Sequence, residues 1–214
     1  MSLIKKGDIV ARKSHQKDII FVVKNIIRTK ENTIVILKGL VERIEVDSYI
    51  DDLVRVDKKY VKDKLKYVDY RMKTQIEQSI NDKKIDGYKI GLVSGNNRNK
   101  EKIITGKILH LDGDKRYSEK SYMYYKKLRL NAVVKNISEY KQPKVVYQLL
   151  KIYTPDILVV TGHDGMIKRG REYNNIYNYR NSKYFIETVR EARRYDRENR
   201  KNLVIFARSL SKLF

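Results

Sequence analysis

The stretch Asp156-Ile157-Leu158-Val159-Val160-Thr161-Gly162-His163-Asp164-Gly165 decides the fold. Its first half is an uninterrupted apolar, β-branched run, the pattern of a central parallel strand covered on both faces. Its second half sets a histidine between two glycines in a tight, exposed turn just past that strand. Upstream, Pro143 suits the first turn of a helix whose apolar face is Val145, Val146, Leu149, Leu150 and Tyr153, stopped by Thr154-Pro155. Before that helix, Ala132 to Ile137 reads as a strand, and Tyr117 to Leu128 as a helix with Tyr122, Tyr125 and Leu128 at helical spacing. Lys107 to Leu111 reads as a further strand, ending in Asp112-Gly113-Asp114. Downstream, Phe185, Ile186 and Val189 mark one face of a helix near Lys183 to Tyr195, and Leu203 to Ala207 is a fourth buried strand. Strand and helix alternate throughout, which predicts a parallel α/β sheet over residues 105–214.

The first quarter of the chain differs. Gly7 to Arg12, Ile19 to Val23, Thr33 to Gly39 and the strictly alternating Val41-Glu42-Arg43-Ile44-Glu45-Val46 read as short strands, with turns at Glu31-Asn32 and Lys38-Gly39. Four or five strands in so short a segment predict a small SH3-like β-barrel over residues 1–56. Its side chains leave peptide, nucleic acid or no partner at all open. From 57 to 83, Val61, Leu65, Val68, Met72, Ile76 and Ile80 recur every three or four residues among many lysines, which predicts one amphipathic helix with a basic outer face. It reads either as a connector packed on a neighbour or as a polyanion-binding helix. Asp86 to Lys102, rich in Gly and Asn, reads as a linker or mobile loop, so residues 57–104 form a helix plus loop between two domains.

Composition removes several classes. The 214 residues carry 48 Lys+Arg against 26 Asp+Glu, a formal net charge of +22, and contain no Cys. Disulfides, Cys-bearing zinc sites and a cysteine nucleophile are thereby absent from the chain as given. No apolar run approaches the roughly 18 residues of a membrane span. The amino terminus lacks the apolar core of a secretory signal, which points to a cytoplasmic protein. The excess of positive charge predicts at least weak attraction to polyanions, and a Lys-, Ile-, Asn- and Tyr-rich composition is also what an AT-rich genome encodes. No phosphate-binding glycine motif occurs, and no cofactor is expected.

In open α/β sheets, ligands bind beyond the carboxyl ends of the strands. His163 lies there, and a histidine between glycines past a buried strand is no packing residue. His110 and His15 read as structural or exposed. The three histidines are not at metal-ligand spacing, so no metal site is expected. Asp112 and Asp114 are either turn formers or functional carboxylates.

At Gly7 to Ser14, His110 to Asp114, Pro155 to Asp164, Tyr179 to Val189 and Val204 to Ala207, the sequence resembles the YabG family of sporulation-specific proteases of spore-forming Firmicutes. The resemblance implies a cysteine peptidase with a caspase-like α/β domain, cutting spore coat and related sporulation proteins at basic residues. It implies a place in the mother cell or with the spore coat. It makes His163 the catalytic imidazole, Gly165 a donor to the oxyanion, and Asp112 and Asp114 the acids for a substrate Arg, whose planar guanidinium pairs bidentately with carboxylate. The family's Cys belongs to an Ala-Gly-Ala-Cys-Gln-Ser stretch after the last strand, where this chain reads Ala207-Arg208-Ser209-Leu210-Ser211-Lys212-Leu213-Phe214. Leu210 thus takes the nucleophile's place, 47 positions after His163; in caspases the separation is about 50. The expectation is a C-terminally truncated, inactive peptidase domain. A basic, non-enzymatic nucleic-acid-binding protein is the alternative.

One nucleotide inserted after the first Ala codon of that stretch changes its reading to Ala-Arg-Ser-Leu-Ser-Lys-Leu-Phe-stop, the sequence of Ala207 to Phe214. Sequencing the gene across this point is expected to reveal Ala-Cys-Gln in a neighbouring frame. If no frame there encodes it, the frameshift origin is wrong.

Overall fold

The computed structural model describes residues 3–85, 106–167 and 175–207. The Asp86 to Lys102 loop and Leu210 lie outside the described residues. Five short strands come first: β1 (Ile9–Arg12), β2 (Phe21–Arg28), β3 (Thr33–Gly39), β4 (Glu45–Tyr49) and β5 (Leu53–Arg55). They form an antiparallel sheet in the order β4-β3-β2-β1-β5. A single 3-10 turn, Ile50–Asp52, carries the chain from β4 across to β5 at the side of β1. Val10, Phe21, Val23, Val35, Leu37 and Leu53 fill the interior, the alternate positions that a pleated strand sends to one face.

The alternating stretch Val41 to Val46 is not one strand. Glu45 opens β4, while residues 40–43 turn, because the Gly39 backbone lies so close to the turn that a Cβ there would come within 2.1 Å of the Glu42 carbonyl oxygen. The local pattern was decided by a distant partner: Arg43 and Ile44 reach the second sheet.

Helix α1 (Lys58–Ile85) starts where the Asp57 carboxylate accepts the N–H groups of Lys59 and Tyr60. Of its apolar stripe only Val61 is fully buried, and Tyr60, Tyr67 and Tyr70 stand in solvent. It touches the remainder through Asp69, paired with Lys120, and Met72, beside the Tyr124 hydroxyl. Among the described residues no helix is long and apolar enough to cross a membrane.

The second sheet is built from β6 (Ile108–Asp112), α2 (Lys115–Lys127), β7 (Ala132–Asn136), α3 (Gln142–Tyr153), β8 (Ile157–Thr161), α4 (Ser182–Glu198) and β9 (Val204–Ala207). All four strands are parallel, in the order β7-β6-β8-β9. Leu109, Leu111, Leu158 and Val160 pack with Val146 and Leu150 of α3 and with Phe185, Ala192 and Tyr195 of α4. On α4 the buried positions are Phe185, Thr188, Ala192 and Tyr195, so Thr188, not Val189, continues the inward stripe. The alternate residues His110, Asp112 and Thr161 point to the other face, toward α2. The chain runs from β6 out to β7, back past β6 to β8, then on to β9. The strand order therefore reverses between β6 and β8, where an open sheet leaves its crevice. Strand β9 is the sheet edge, with Val204 and Phe206 exposed.

The turn between β3 and β4 docks on that crevice. Ile44 and Asp164 form a parallel bridge, in which the Glu45 N–H donates to the Asp164 carbonyl at 2.8 Å and the Asp164 N–H to the Arg43 carbonyl at 3.3 Å. Arg43 grips the fully buried Asp112 with both terminal nitrogens, at 2.8 and 2.7 Å, and donates from Nε to the Gly162 carbonyl at 3.0 Å. Its guanidinium lies 4.4 Å from the centre of the Tyr117 ring. Lys38 pairs with Asp114, and Arg180 with Glu45 and Asp47. Removing one partner of a buried ion pair leaves an uncompensated charge. Arg43→Ala is therefore expected to cost about 3–5 kcal/mol in urea unfolding, and Arg43→Lys to recover only part of it, since a lysine cannot bind bidentately. Full recovery by lysine would show that charge alone, not the fork, holds the two sheets.

Candidate active site

The carboxyl ends of β6 and β8 bring together Asp112, Gly113, Asp114, Thr161, Gly162 and His163. Asp112 accepts four hydrogen bonds. Two come from Arg43, one from the Asp114 N–H at 2.8 Å and one from the Thr161 hydroxyl at 2.9 Å. Because Thr161 gives its proton to Asp112, its oxygen accepts from His110 Nε2 at 2.7 Å. His110 Nδ1 then accepts from the Tyr125 hydroxyl at 3.2 Å. Burial pushes the His110 pKa down to about 4, against the pull of Asp112. The neutral tautomer this implies is the one the chain of bonds requires. His110, read as structural or exposed, is structural: it ties α2 to the central strands.

Asp114 caps α2 by accepting the Tyr117 N–H and is paired with Lys38; burial pushes its pKa up, but the Lys38 bond and charge together with the Tyr117 N–H hold it below the usual carboxylate value. Both Asp112 and Asp114 are thus engaged with side-chain cations of the first sheet.

His163 is not on an exposed turn; it is 1% accessible. The cover is the docked β3–β4 turn on one side and Tyr117, 5.6 Å away edge to face, on another. Neither ring nitrogen has a hydrogen-bond partner among the described residues; Nδ1 is 3.9 Å from an Asp114 oxygen. Burial first, then Lys38 and Arg43, push its pKa down to about 3, against Asp114 and Asp112. The ring is a neutral base held without a partner, an expensive condition for a buried polar group.

The loop around it is clamped from two directions. A Cβ at Gly162 would come within 2.5 Å of the Glu139 carboxylate, and one at Gly165 within 2.1 Å of the Glu45 carbonyl. Gly165 gives its N–H to the Asp164 carboxylate at 2.9 Å, and Asp164 also accepts the N–H of Asn181 and the Ser182 hydroxyl at the start of α4. Glu139, in the 3-10 turn ahead of α3, accepts the His163 N–H at 2.7 Å. Burial raises its pKa above the usual value. Sequence reasoning did not find Glu139 or Arg43. The signal for Glu139 was present in Gly113 and Gly162: a glycine just past each of two adjacent parallel strands leaves room for a group lying across both. Among the described residues no group of three or more His, Asp or Glu is arranged to hold a metal ion.

Fold and site together define a protein of mixed helices and strands, with one antiparallel and one parallel sheet, whose buried imidazole sits at the strand-order switch of the parallel sheet. The sequence model of the family described as YabG peptidase U57 matches residues 5–211. The Sporulation-specific protease YabG of Bacillus subtilis (strain 168) is 36% identical over 192 residues, which cover 88% of this chain and 66% of that relative. The chain thus spans just under two thirds of the relative's length. No solved structure matches it. The chain belongs to the YabG peptidase U57 family of proteases.

The two buried imidazoles set a pH dependence. Unfolded, each accepts a proton near pH 6.5; folded, each refuses it down to about 4 for His110 and about 3 for His163. Their contribution is complete above the unfolded value and is lost as pH falls through this range. Glu139, whose pKa is raised, acts with the opposite sign just above its ordinary value. Stability to urea is expected to fall from about pH 7 to about pH 5, each histidine adding up to about 1.4 kcal/mol per pH unit. His110→Gln is expected to remove close to one proton from this slope. An unchanged slope would show that His110 titrates normally in the folded chain.

Proposed function

We propose that this fold serves an endopeptidase that processes spore coat and related sporulation proteins at basic, chiefly Arg, positions by a thiol–imidazole mechanism, with His163 as the imidazole. The observation that carries this reading is the neutral, buried His163 ring at the strand-order switch, with both nitrogens unpartnered among the described residues. It follows strand β8, whose Val160 lies opposite Ala207 of β9. The nucleophile's position, Leu210, follows that strand three residues later. A thiol there would give its proton to the His163 imidazole, the thiolate would attack the scissile carbonyl, and the imidazolium would protonate the amine as the C–N bond breaks, leaving an acyl-enzyme. Membership of a peptidase family supports the class of reaction, and the relative's name supports sporulation proteins as substrates, in the mother cell or the spore coat.

In this reading the first 56 residues are an SH3-like barrel, 57–104 a basic connecting segment, and 105–214 a caspase-like peptidase domain lacking its nucleophile. The basic surface gives weak attraction to polyanions and no sequence-specific binding. Asp112 keeps Arg43 and organises the site, and Asp114 biases the His163 ring. Gly165 reaches an oxyanion only after its N–H leaves Asp164. With no Cys among the 214 residues, the chain as given is inactive, since loss of a nucleophile removes about 10⁶ in kcat in the serine-protease precedent.

The test uses peptides containing one Arg. The chain as it stands is expected to leave them intact. A gene with the single-nucleotide insertion removed, which restores Cys at position 210 and the frame beyond it, is expected to give a protein that cuts after Arg. His163→Gln in that restored protein is expected to abolish cutting while the protein still unfolds cooperatively in urea. Cutting by the chain as given, or by the restored protein without His163, would overturn the assignment.

A further inference from the structure

We propose that Glu139 is the receptor for the cationic side chain of the substrate, held across Gly113 and Gly162 at the crevice between β6 and β8. This rests on the peptidase reading of the site, and it assigns the recognition of charge to a residue other than Asp112 and Asp114.

The charge balance of the crevice carries it. Asp112 is fully buried and filled by Arg43, Thr161 and the Asp114 N–H. Asp114 is capped by Lys38 and by the start of α2. Asp164 is buried and receives two backbone N–H groups and the Ser182 hydroxyl. Glu45, on the docked strand, is buried and paired with Lys24 and Arg180. Each of these acids already has its donors, and none has more than slight exposure.

Glu139 differs on every count. The residue is only partly buried, where Asp112, Asp164 and Glu45 are buried. Among the described residues its carboxylate forms no ion pair, and its donors are backbone N–H groups, that of His163 and its own. Burial above all, with the nearby Glu45, works against its charge and outweighs the two backbone N–H groups and the more distant Lys38, which is already paired with Asp114. A carboxylate so placed gains more from an arriving cation than one already paired, because pairing removes a desolvation penalty as well as adding attraction. Its position is fixed: a Cβ on Gly113 would meet it at 2.2 Å and one on Gly162 at 2.5 Å. It holds the backbone of the very residue whose ring is the proposed acid and base, so a side chain bound by Glu139 lies one residue from the reacting imidazole. A guanidinium, with paired donors in a plane, suits a carboxylate open on its solvent side.

Glu42 is the competing acid. It lies in the docked β3–β4 turn and has one buried carboxylate oxygen without a hydrogen-bond partner. It belongs to the cover and not to the strand ends, and it serves as the control.

The experiment titrates the full 214-residue chain with N-acetyl-arginine amide and with the uncharged N-acetyl-citrulline amide, following the His163 ring signals by NMR. The arginine compound is expected to shift them and the citrulline compound not. Glu139→Gln is expected to weaken arginine binding by about tenfold or more, as loss of a charge-assisted pair does, while Glu42→Gln leaves it unchanged. If Glu139→Gln does not fold, Glu139→Asp decides: the shortened acid is expected to bind at least about threefold more weakly. Arginine binding that survives either change, binding lost in Glu42→Gln instead, or equal response to both compounds overturns the assignment. The peptidase reading stands or falls separately, on hydrolysis by the restored protein and its dependence on His163.

Discussion

A carboxylate at the end of a central strand, sealed from water, needs a cation held in good geometry. For Asp112 that cation is Arg43, 69 residues earlier in the chain and on the other sheet. The bidentate grip fixes both oxygens, and the remaining acceptor sites fall to the Asp114 N–H and the Thr161 hydroxyl. Each further bond follows from the one before it. Thr161 must donate to Asp112, so it must accept from His110 Nε2, so His110 Nδ1 must accept from Tyr125. One ion pair thereby sets the tautomer of a buried histidine and the seat of α2 on the sheet. It also brings the β3–β4 turn down over the strand ends, where it closes one side of the crevice.

That closure sets the resting state of His163. Lys38 and Arg43 arrive with the turn, and both disfavour a second positive charge. Returning the ring from a pKa of about 3 to its ordinary value near 6.5 requires about 5 kcal/mol. Asp114, 3.9 Å from Nδ1, already pulls in that direction but is shared with Lys38. A thiolate at about 4 Å would contribute about 4 kcal/mol at the effective dielectric of such sites. In the proposed mechanism a thiolate would thus provide most of what the imidazole needs to hold a proton.

Strands and helices were readable where local pattern and tertiary demand agree. The run Ile157 to Thr161 is apolar because α3 and α4 cover one of its faces and neighbouring strands flank it. The stripe Val146, Leu150 and Tyr153 is helical because it has one sheet to meet. The place of His163 just past a central strand was legible from its glycines, but its burial was not, since the covering turn lies more than a hundred residues away in sequence. Val41 to Val46 misled for the same reason. Alternation is the signature of a half-exposed strand, yet Arg43 and Ile44 alternate because one meets Asp112 and the other bridges to Asp164. Local periodicity cannot distinguish a pleated strand from a turn whose side chains are claimed by another sheet. Glu139 had no periodic signal at all, being a polar residue ahead of a helix.

The glycines record what periodicity does not. Gly162 and Gly165 flank the His163-Asp164 pair, and each is needed by a different neighbour. One makes room for the Glu139 carboxylate and the other for the Glu45 backbone. The two neighbours come from opposite sides of the loop, so His163 cannot shift toward either without a collision. The contact with the first sheet is made by the Glu45 backbone and cannot yield without undocking β4. The Glu139 contact is the end of a side chain and can move by rotation about its own bonds. The crevice is therefore rigid on the side of the first sheet and adaptable on the side of α3. In the proposed reading a polypeptide reaches His163 from the adaptable side, where the Glu139 carboxylate lies across the strand ends.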